Sequence, residues 1–290
     1  MSDNKLTGTS LEVLSFISSG IKKRTGSEYS DGRPGRINYH SEDEYRTITL
    51  LVQSTAYDMQ DVAHLRDAVN ELFDGELMIR EMRIKSAEVE YESPGQRTGE
   101  LQIEAPEYVN GKQIKVAVVN SPEIDDATLV STFTVEFETT ESPYFETIYT
   151  TLELHDSGYS ATAEKYGLVD NINDEKVKYR FTENNFTVYN AGNVTIEPES
   201  MYISILFFYC SIPNGKMTVK NLTTGDVLEV NRTTNRSHIR QDRLVVTVAG
   251  VNSFRDTNKR LISLAPGDNE FEITGATYDE ARFNFKYLYK

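Results

Sequence analysis

Apolar residues recur along this chain at two spacings, and the first is nearly everywhere. Ile48, Leu50 and Val52 alternate with other residues, as do Ile114, Val116 and Val118. Phe133, Val135 and Phe137 follow, with Thr134, Glu136 and Glu138 on the opposite face. A period of two is the pattern of a half-buried β-strand. Between these runs, Met78 to Tyr91 reads as one or two strands, closed by a Ser93-Pro94-Gly95-Gln96 turn. The second spacing occurs once. Met59, Val62, Leu65, Val69, Leu72 and Phe73 recur every three or four residues and make one apolar stripe. It predicts a helix over 58–74, capped by Asp58 and stopped at Gly75, with its apolar side on a sheet.

Near Ser142-Pro143-Tyr144 the alternation breaks, and 152–173 is a mixed stretch of Ser, Thr, Gly and charged residues. The domain boundary is placed there, giving one domain over 1–150 and another over 151–290. The second is strand after strand: Val177/Tyr179/Phe181, Phe186/Val188, Ile203 to Tyr209, Met217/Val219, Leu228/Val230, Leu244/Val246/Val248, Phe271/Ile273 and Phe283/Phe285/Tyr287. Asn190-Ala191-Gly192-Asn193, Pro213-Asn214-Gly215, Thr224-Gly225-Asp226 and Pro266-Gly267-Asp268-Asn269 punctuate them. Short strands with turn residues at this spacing predict a β-sandwich or jelly roll. The last strand, 283–289, packs with this second domain or back on the first.

Composition narrows the function classes. A length of 290 residues corresponds to about two domains. No run approaches the roughly 18 apolar residues of a membrane span. The polar stretch 1–10 argues against a secretory signal. A single cysteine, Cys210, excludes an intrachain disulfide and any cysteine-based zinc site. It ends an apolar strand and reads as a small buried hydrophobe. The net charge of −15 argues against affinity for duplex DNA, which rests on neutralising phosphate with Lys and Arg.

Motifs for chemistry are missing. His40, His64, His155 and His238 lie far apart, none with a second ligand at metal spacing. The segment 170–175 faintly resembles a calcium loop but has Ile172 where a ligand is required and no Gly at position six. Carboxylates are abundant, yet nothing selects the pair a glycan-cleaving enzyme needs. The reading is therefore no catalytic residue, no metal and no cofactor. Five Asn-x-Ser/Thr triplets, beginning at Asn185, Asn193, Asn221, Asn231 and Asn235, read as turn chemistry.

Two features stand out. Asp31-Gly32-Arg33-Pro34-Gly35-Arg36 combines special backbone angles with forked guanidinium donors. It suits a clamp on a carboxylate or a neighbouring subunit, and equally an ordinary surface loop. Its residues Asp31, Gly32, Arg33, Gly35 and Arg36 are the inter-subunit candidates. In Glu88-Val89-Glu90-Tyr91-Glu92 a strand would put Glu88, Glu90 and Glu92 on one face, which must meet water or cations.

The order of these motifs resembles the distal tail protein (Dit) family of long-tailed, non-contractile bacteriophages. The Asp31–Arg36 loop, the strand 46–54, the helix ending Leu72-Phe73, Val135-Glu136-Phe137 and Ser142-Pro143-Tyr144 come in turn. Asn190-Ala191-Gly192-Asn193, 221–225 and 264–269 follow, and the resemblance covers about 15–290. It implies a mainly β protein: an N-terminal β-sandwich with one helix and an extended hairpin, similar to tail-tube proteins, and a C-terminal galectin-like β-sandwich. It implies a homo-hexameric ring at the end of the tail tube, a structural virion component without catalysis, made in the host cytoplasm. Its implied partners are the tail tube protein, the tail-associated lysin or tip protein, and receptor-binding or other baseplate proteins on the C-terminal domain. DNA passes through such a ring without specific binding, and no membrane is involved. The acidic balance fits: six copies multiply the −15, and a negative lumen wall repels phosphate. Glu88, Glu90 and Glu92 are candidates for that wall. The alternative is a carbohydrate-binding adsorption protein acting through the C-terminal sandwich, with Tyr serving where Trp is absent.

Overall fold

The computed structural model describes residues 3–4, 9–29, 34–83, 107–108, 110–125 and 127–290. It is mainly β, as the alternation predicts. The chain divides into two compact units. One is Met1–Ile79 with Ile114–Tyr144, the other Arg80–Gln113 with Phe145–Lys290. The first thus ends inside the Ser-Pro-Tyr break, and residues 80–113 go with the second.

In the first unit, strands Thr9–Ser18, Thr47–Thr55 and Val130–Thr139 lie side by side and antiparallel, followed by the 114–118 part of Lys112–Val118. Glu76–Ile79 pairs with that last strand. Register decides which face is buried. Val52 lies opposite Val13 and Phe133, Leu50 opposite Phe16 and Val135, and Ile48 opposite Phe137. These rows form the apolar face. The helix Asp61–Leu72 buries Val62, Leu65 and Val69, and the Phe73 ring after it meets Phe137 edge-on at 6.0 Å. The helix is shorter than 58–74 because residues 59–60 form a turn. Gln60 rather than Asp58 is the N-cap, without a side-chain cap bond, and Asp58 holds the preceding turn: its Oδ1 accepts from the backbone N–H of Gln60 and of Asp61, both at 2.9 Å. Met59 and Leu72 are exposed, so the apolar stripe is narrower than its spacing suggested. Gly75, at φ +74°, turns the chain out of the helix.

The second unit carries two facing sheets. Six strands run in the order Arg180–Phe181, Glu280–Phe285, Ile203–Ile212, Thr234–Asp242, Val245–Val248 and Val251–Asn252. Four run in the order Asn185–Asn190, Gly267–Thr274, Met217–Asn221 and Val227–Val230. Four phenylalanines join the sheets. Phe181 stacks on Phe186 at 4.2 Å and Phe186 on Phe271 at 5.5 Å, while Phe283 meets these three edge-on at 4.9–6.0 Å. Offset and edge contacts of this kind add to the free energy of burial itself.

Three elements depart from the periodicity. The stretch 152–173 contains helices Thr151–Ser157 and Tyr159–Tyr166, divided by Gly158 at φ +79°. They bury only Thr151, Leu154 and Thr162, too few residues for a visible stripe. Thr151 Oγ1 instead donates to Phe283 O at 2.9 Å and accepts from Phe285 N at 3.1 Å. Strand Thr234–Asp242 has no apolar alternation, because its inward positions include Thr234 and Gln241. The strand expected from Val177 is only Arg180–Phe181, since Asp174–Lys176 forms a 3-10 turn.

The last strand is two. Glu280–Phe285 stays in the six-stranded sheet, whereas Leu288–Tyr289 pairs with Phe145–Thr147.

Phe283 is fully buried and touches three other rings. Phe283→Ala should destabilise the sandwich by about 3–5 kcal/mol, read as a lowered urea midpoint by circular dichroism. A change under about 1 kcal/mol would show that the ring layer does not hold the sheets.

Candidate functional site

The Asp31–Arg36 loop closes a two-stranded hairpin of the first unit, Lys22–Tyr29 with Arg36–Tyr45. Periodicity does not reveal these strands, because both are mostly polar. Gly35 sits at φ +101°, an angle that favours glycine, and Arg36 pairs with Tyr29 as the returning strand begins. Asp31, Gly32 and Arg33 lie outside the described residues, as do Glu88, Glu90 and Glu92.

Opposite charges meet across the hairpin, Lys23 facing Asp43 and Arg24 facing Glu42. Lys23 Nζ stands 3.4 Å from Asp43 Oδ1. Tyr39 Oη donates to Glu28 Oε2 at 2.9 Å, and Lys22 Nζ donates to Tyr45 Oη. Gly26 leaves room for the His40 ring, which occupies the place a Cβ would need. At the open end, Tyr144 Oη donates to Asp43 Oδ2 at 2.8 Å. The Ser142-Pro143-Tyr144 segment thereby ties the hairpin to the rest of its unit, 101 residues away in sequence. No sequence signal picks out that pair.

Among the described residues, the sheet of the first unit has a second face that is largely exposed. Its rows are Glu12–Gln53–Thr132, Ser15–Leu51–Thr134 and Ile17–Thr49–Glu136, with Thr47–Glu138 beyond. This face carries Glu12, Glu136 and Glu138 among hydroxyl and amide side chains with Ile17 and Leu51, and on the adjoining strand Lys115, which pairs with Glu76 and Glu141 at 2.7 Å. The alternation had placed Glu136 and Glu138 there; Glu12 required the register.

In the second unit, the three turn motifs converge through buried asparagines. Asn269 Oδ1 accepts from Ala265 N at 2.9 Å and from Asn221 Nδ2 at 3.1 Å, and its Nδ2 donates to Ala265 O at 2.8 Å. Asn221 Nδ2 also donates to Ser263 O at 2.9 Å, and its Oδ1 accepts from Thr223 N at 3.0 Å. Asn190 Oδ1 accepts from Gly192 N at 3.0 Å, while its Nδ2 reaches Val194 O at 3.2 Å. These amides satisfy buried loop backbone that has no ladder partner. Their role is to hold the fold.

The remaining candidates are placed as follows. Cys210 is fully buried, with Sγ 3.8 Å from Met217 Sδ, and burial pushes its thiol up to about 12. Among the described residues no three His, Cys, Asp or Glu side chains gather to hold a metal ion. In the segment 170–175, Asp170 pairs with Lys112 at 2.6 Å and Asn173 caps the 3-10 turn. His155 Nδ1 lies 3.3 Å from Val177 O. His238 packs between Phe208 and Tyr209, at 5.1 and 4.9 Å.

Tyr144→Phe removes the hydroxyl from a nearly buried carboxylate and should cost about 1.5–3 kcal/mol. Hydrogen exchange should quicken in 22–45 and stay unchanged in 47–55; unchanged exchange in 22–45 would refute the tie. Cys210 binds its proton more tightly folded than unfolded. Its contribution to stability is whole below the free thiol's pKa of about 8.5 and is lost as pH rises through the folded value. A disulfide reagent at pH 8 should therefore label Cys210 only after denaturant is added.

No protein-family model matches the chain. No curated protein matches it either. Solved structures do. SPP1 Dit (gp 19.1), described as a paradigm of the hub adsorption apparatus in phages infecting Gram-positive bacteria, superposes with a TM-score of 0.61. That match covers 96% of this chain and 94% of the other at 10% identity. Two structures of the phage p2 baseplate in its activated conformation, one with Sr and one with Ca, cover 95% and 96% of this chain and 90% of theirs. Their identities are 11% and 10%, and a TM-score of 0.36 gives them no weight. At 10% identity the SPP1 match speaks for architecture: the chain has the mainly β fold of a Dit-type phage tail hub protein.

Proposed function

We propose that this chain is a structural component of a bacteriophage tail, a homo-hexameric hub that joins the tail tube to the tail-associated lysin or tip protein. The observation carrying the reading is the likeness to SPP1 Dit along almost the whole of both chains. A hub works through surfaces rather than through a reactive centre, and the reading assigns it no catalysis. The protein is made in the host cytoplasm and resides in the virion. Receptor-binding or other baseplate proteins dock on the second unit. A six-fold ring needs a heterologous interface, with two different patches of one subunit meeting on its neighbours. The hairpin closed by the Asp31–Arg36 loop is our candidate for one of them, since a guanidinium suits a carboxylate on a neighbouring subunit.

DNA passes through the ring. The exposed sheet face with Glu12, Glu136 and Glu138 supports this, since its carboxylates repel phosphate and Lys115 on the adjoining strand is already held by Glu76 and Glu141. That face joins Glu88, Glu90 and Glu92 as a candidate for the lumen wall.

Glycan adsorption is a second reading with one observation in its favour. Tyr209 and Arg236 lie at φ +47° and +45° beside a register shift between neighbouring strands, with the Arg236 guanidinium 4.8 Å over the Tyr209 ring. Strained backbone that exposes an aromatic ring among polar donors is chemistry suited to a sugar. Retention on host cell-wall glycan, lost in Tyr209→Ala, would favour this reading; no retention of the intact protein would dismiss it.

Light scattering on the purified protein should give six times the mass of one chain, and negative-stain images should show rings. A monomer at high concentration, alone and with the tail tube protein, would overturn the hub reading. The assembled ring should not retain duplex DNA at physiological salt. Replacing Glu12, Glu136 and Glu138 with Lys should create binding that weakens steeply with salt. Absence of binding by that variant ring would remove this face from the lumen.

A further inference from the structure

The chain passes between the two units three times, at 79–80, 113–114 and 144–145. On the second unit's side, the ends of the last two passages are held together. Strand Phe145–Thr147 pairs with the first residues of Lys112–Val118, Glu146 facing Gln113 and Thr147 facing Lys112. Ile148 N donates to Gly111 O at 3.0 Å. Three residues of strand on two residues of strand is a small patch of sheet, marginal by itself.

One segment closes over it. Leu288 and Tyr289 pair with Glu146 and Phe145 on the other edge of the 145–147 strand. Thr147 N donates to Tyr287 O at 3.0 Å, and Tyr287 N donates to Thr147 Oγ1 at 3.1 Å. Lys286 Nζ meets Glu146 Oε1 at 2.6 Å, and Gln113 Nε2 donates to the same oxygen at 2.8 Å. Lys112 Nζ lies 4.1 Å over the Tyr289 ring while pairing with Asp170, and Tyr289 Oη donates to Asp170 O at 3.0 Å. The far side of the segment is fastened to the Asn-Ala-Gly-Asn turn. Asn193 N donates to Leu288 O at 3.0 Å, and Lys290 N donates to Asn193 Oδ1 at 2.9 Å. Gly192 lies so close that a Cβ there would stand 2.5 Å from Leu288 O and 2.8 Å from Leu288 N.

We propose that residues 288–290 form a strap that locks both passages, 110–113 and 145–149, onto the second unit. When the strap lifts, both segments lose that cover while the sandwich stays folded, because Tyr287, fully buried against Phe285 and Tyr179, keeps its place. A partner that captures the strap would loosen both segments. The inference stands independently of the hub reading.

Two variants of the full chain test it by hydrogen exchange with mass spectrometry. Gly192→Ala places a methyl against the Leu288 backbone, which cannot swing aside as a side chain could. Deletion of 288–290 removes the strap without touching the turn. In both, 110–113 and 145–149 should exchange at least about tenfold faster, and trypsin should cut after Lys112. Segments 203–212 and 47–55 should keep their original protection. Unchanged exchange at 110–113 and 145–149 in either variant would overturn the strap. Loss of protection across 203–212 would overturn it too, because the segment would then be part of the sandwich core.

Discussion

Four phenylalanine rings, Phe181, Phe186, Phe271 and Phe283, hold the two sheets of the second unit face to face. Sheets packed this way must bury one face and wet the other, so most strands of the sandwich inherit the period of two. Once the layer is formed, the strands are fixed in register and their ends must be satisfied where the ladders stop. The burden falls on Asn190, Asn221 and Asn269, whose amides bind loop carbonyls and N–H groups that have no strand partner. Such buried amides are costly if any bond is missing, which is why they occur with short polar turns rather than with long loops.

The first unit solves a different problem with the same rule. Its sheet buries Val52, Leu50 and Ile48 on one face, where the Phe73 ring after a short helix meets Phe137, and leaves much of the opposite face exposed. The hairpin closed by Asp31–Arg36 gets its order from cross-strand charge pairs and from Tyr144 on Asp43. Exposed pairs contribute little each, so the hydroxyl on the nearly buried carboxylate carries disproportionate weight.

Much of the fold was legible from the chain alone wherever a strand is apolar on one side only. The runs around Ile48, Val116, Val135, Ile205 and Val219 all lie where alternation put them. Elements whose inward residues are polar were not. Gln241 faces the interior because its amide binds Ile262 N and O, and no hydropathy pattern encodes that. The helices after Thr150 were hidden for the same reason, since Thr151 enters the core through hydrogen bonds rather than apolar area. Of the candidate site, the loop's glycine and its position before the 47–55 strand were readable, whereas the hairpin it closes was not.

The sequence by itself determined the mainly β class, most apolar core positions, the inertness of Cys210 and the order of turn motifs. These follow from side-chain chemistry and local spacing, which act between near neighbours. Only the tertiary structure decided that the three asparagine turns meet and that Asp43 belongs to Tyr144. It also decided that residues 80–113 join the second unit, and that the final strand splits so that Leu288 and Tyr289 close over 145–147. Each of these pairs groups far apart in the chain, and their partnership is set by sheet register, a property of the folded chain as a whole.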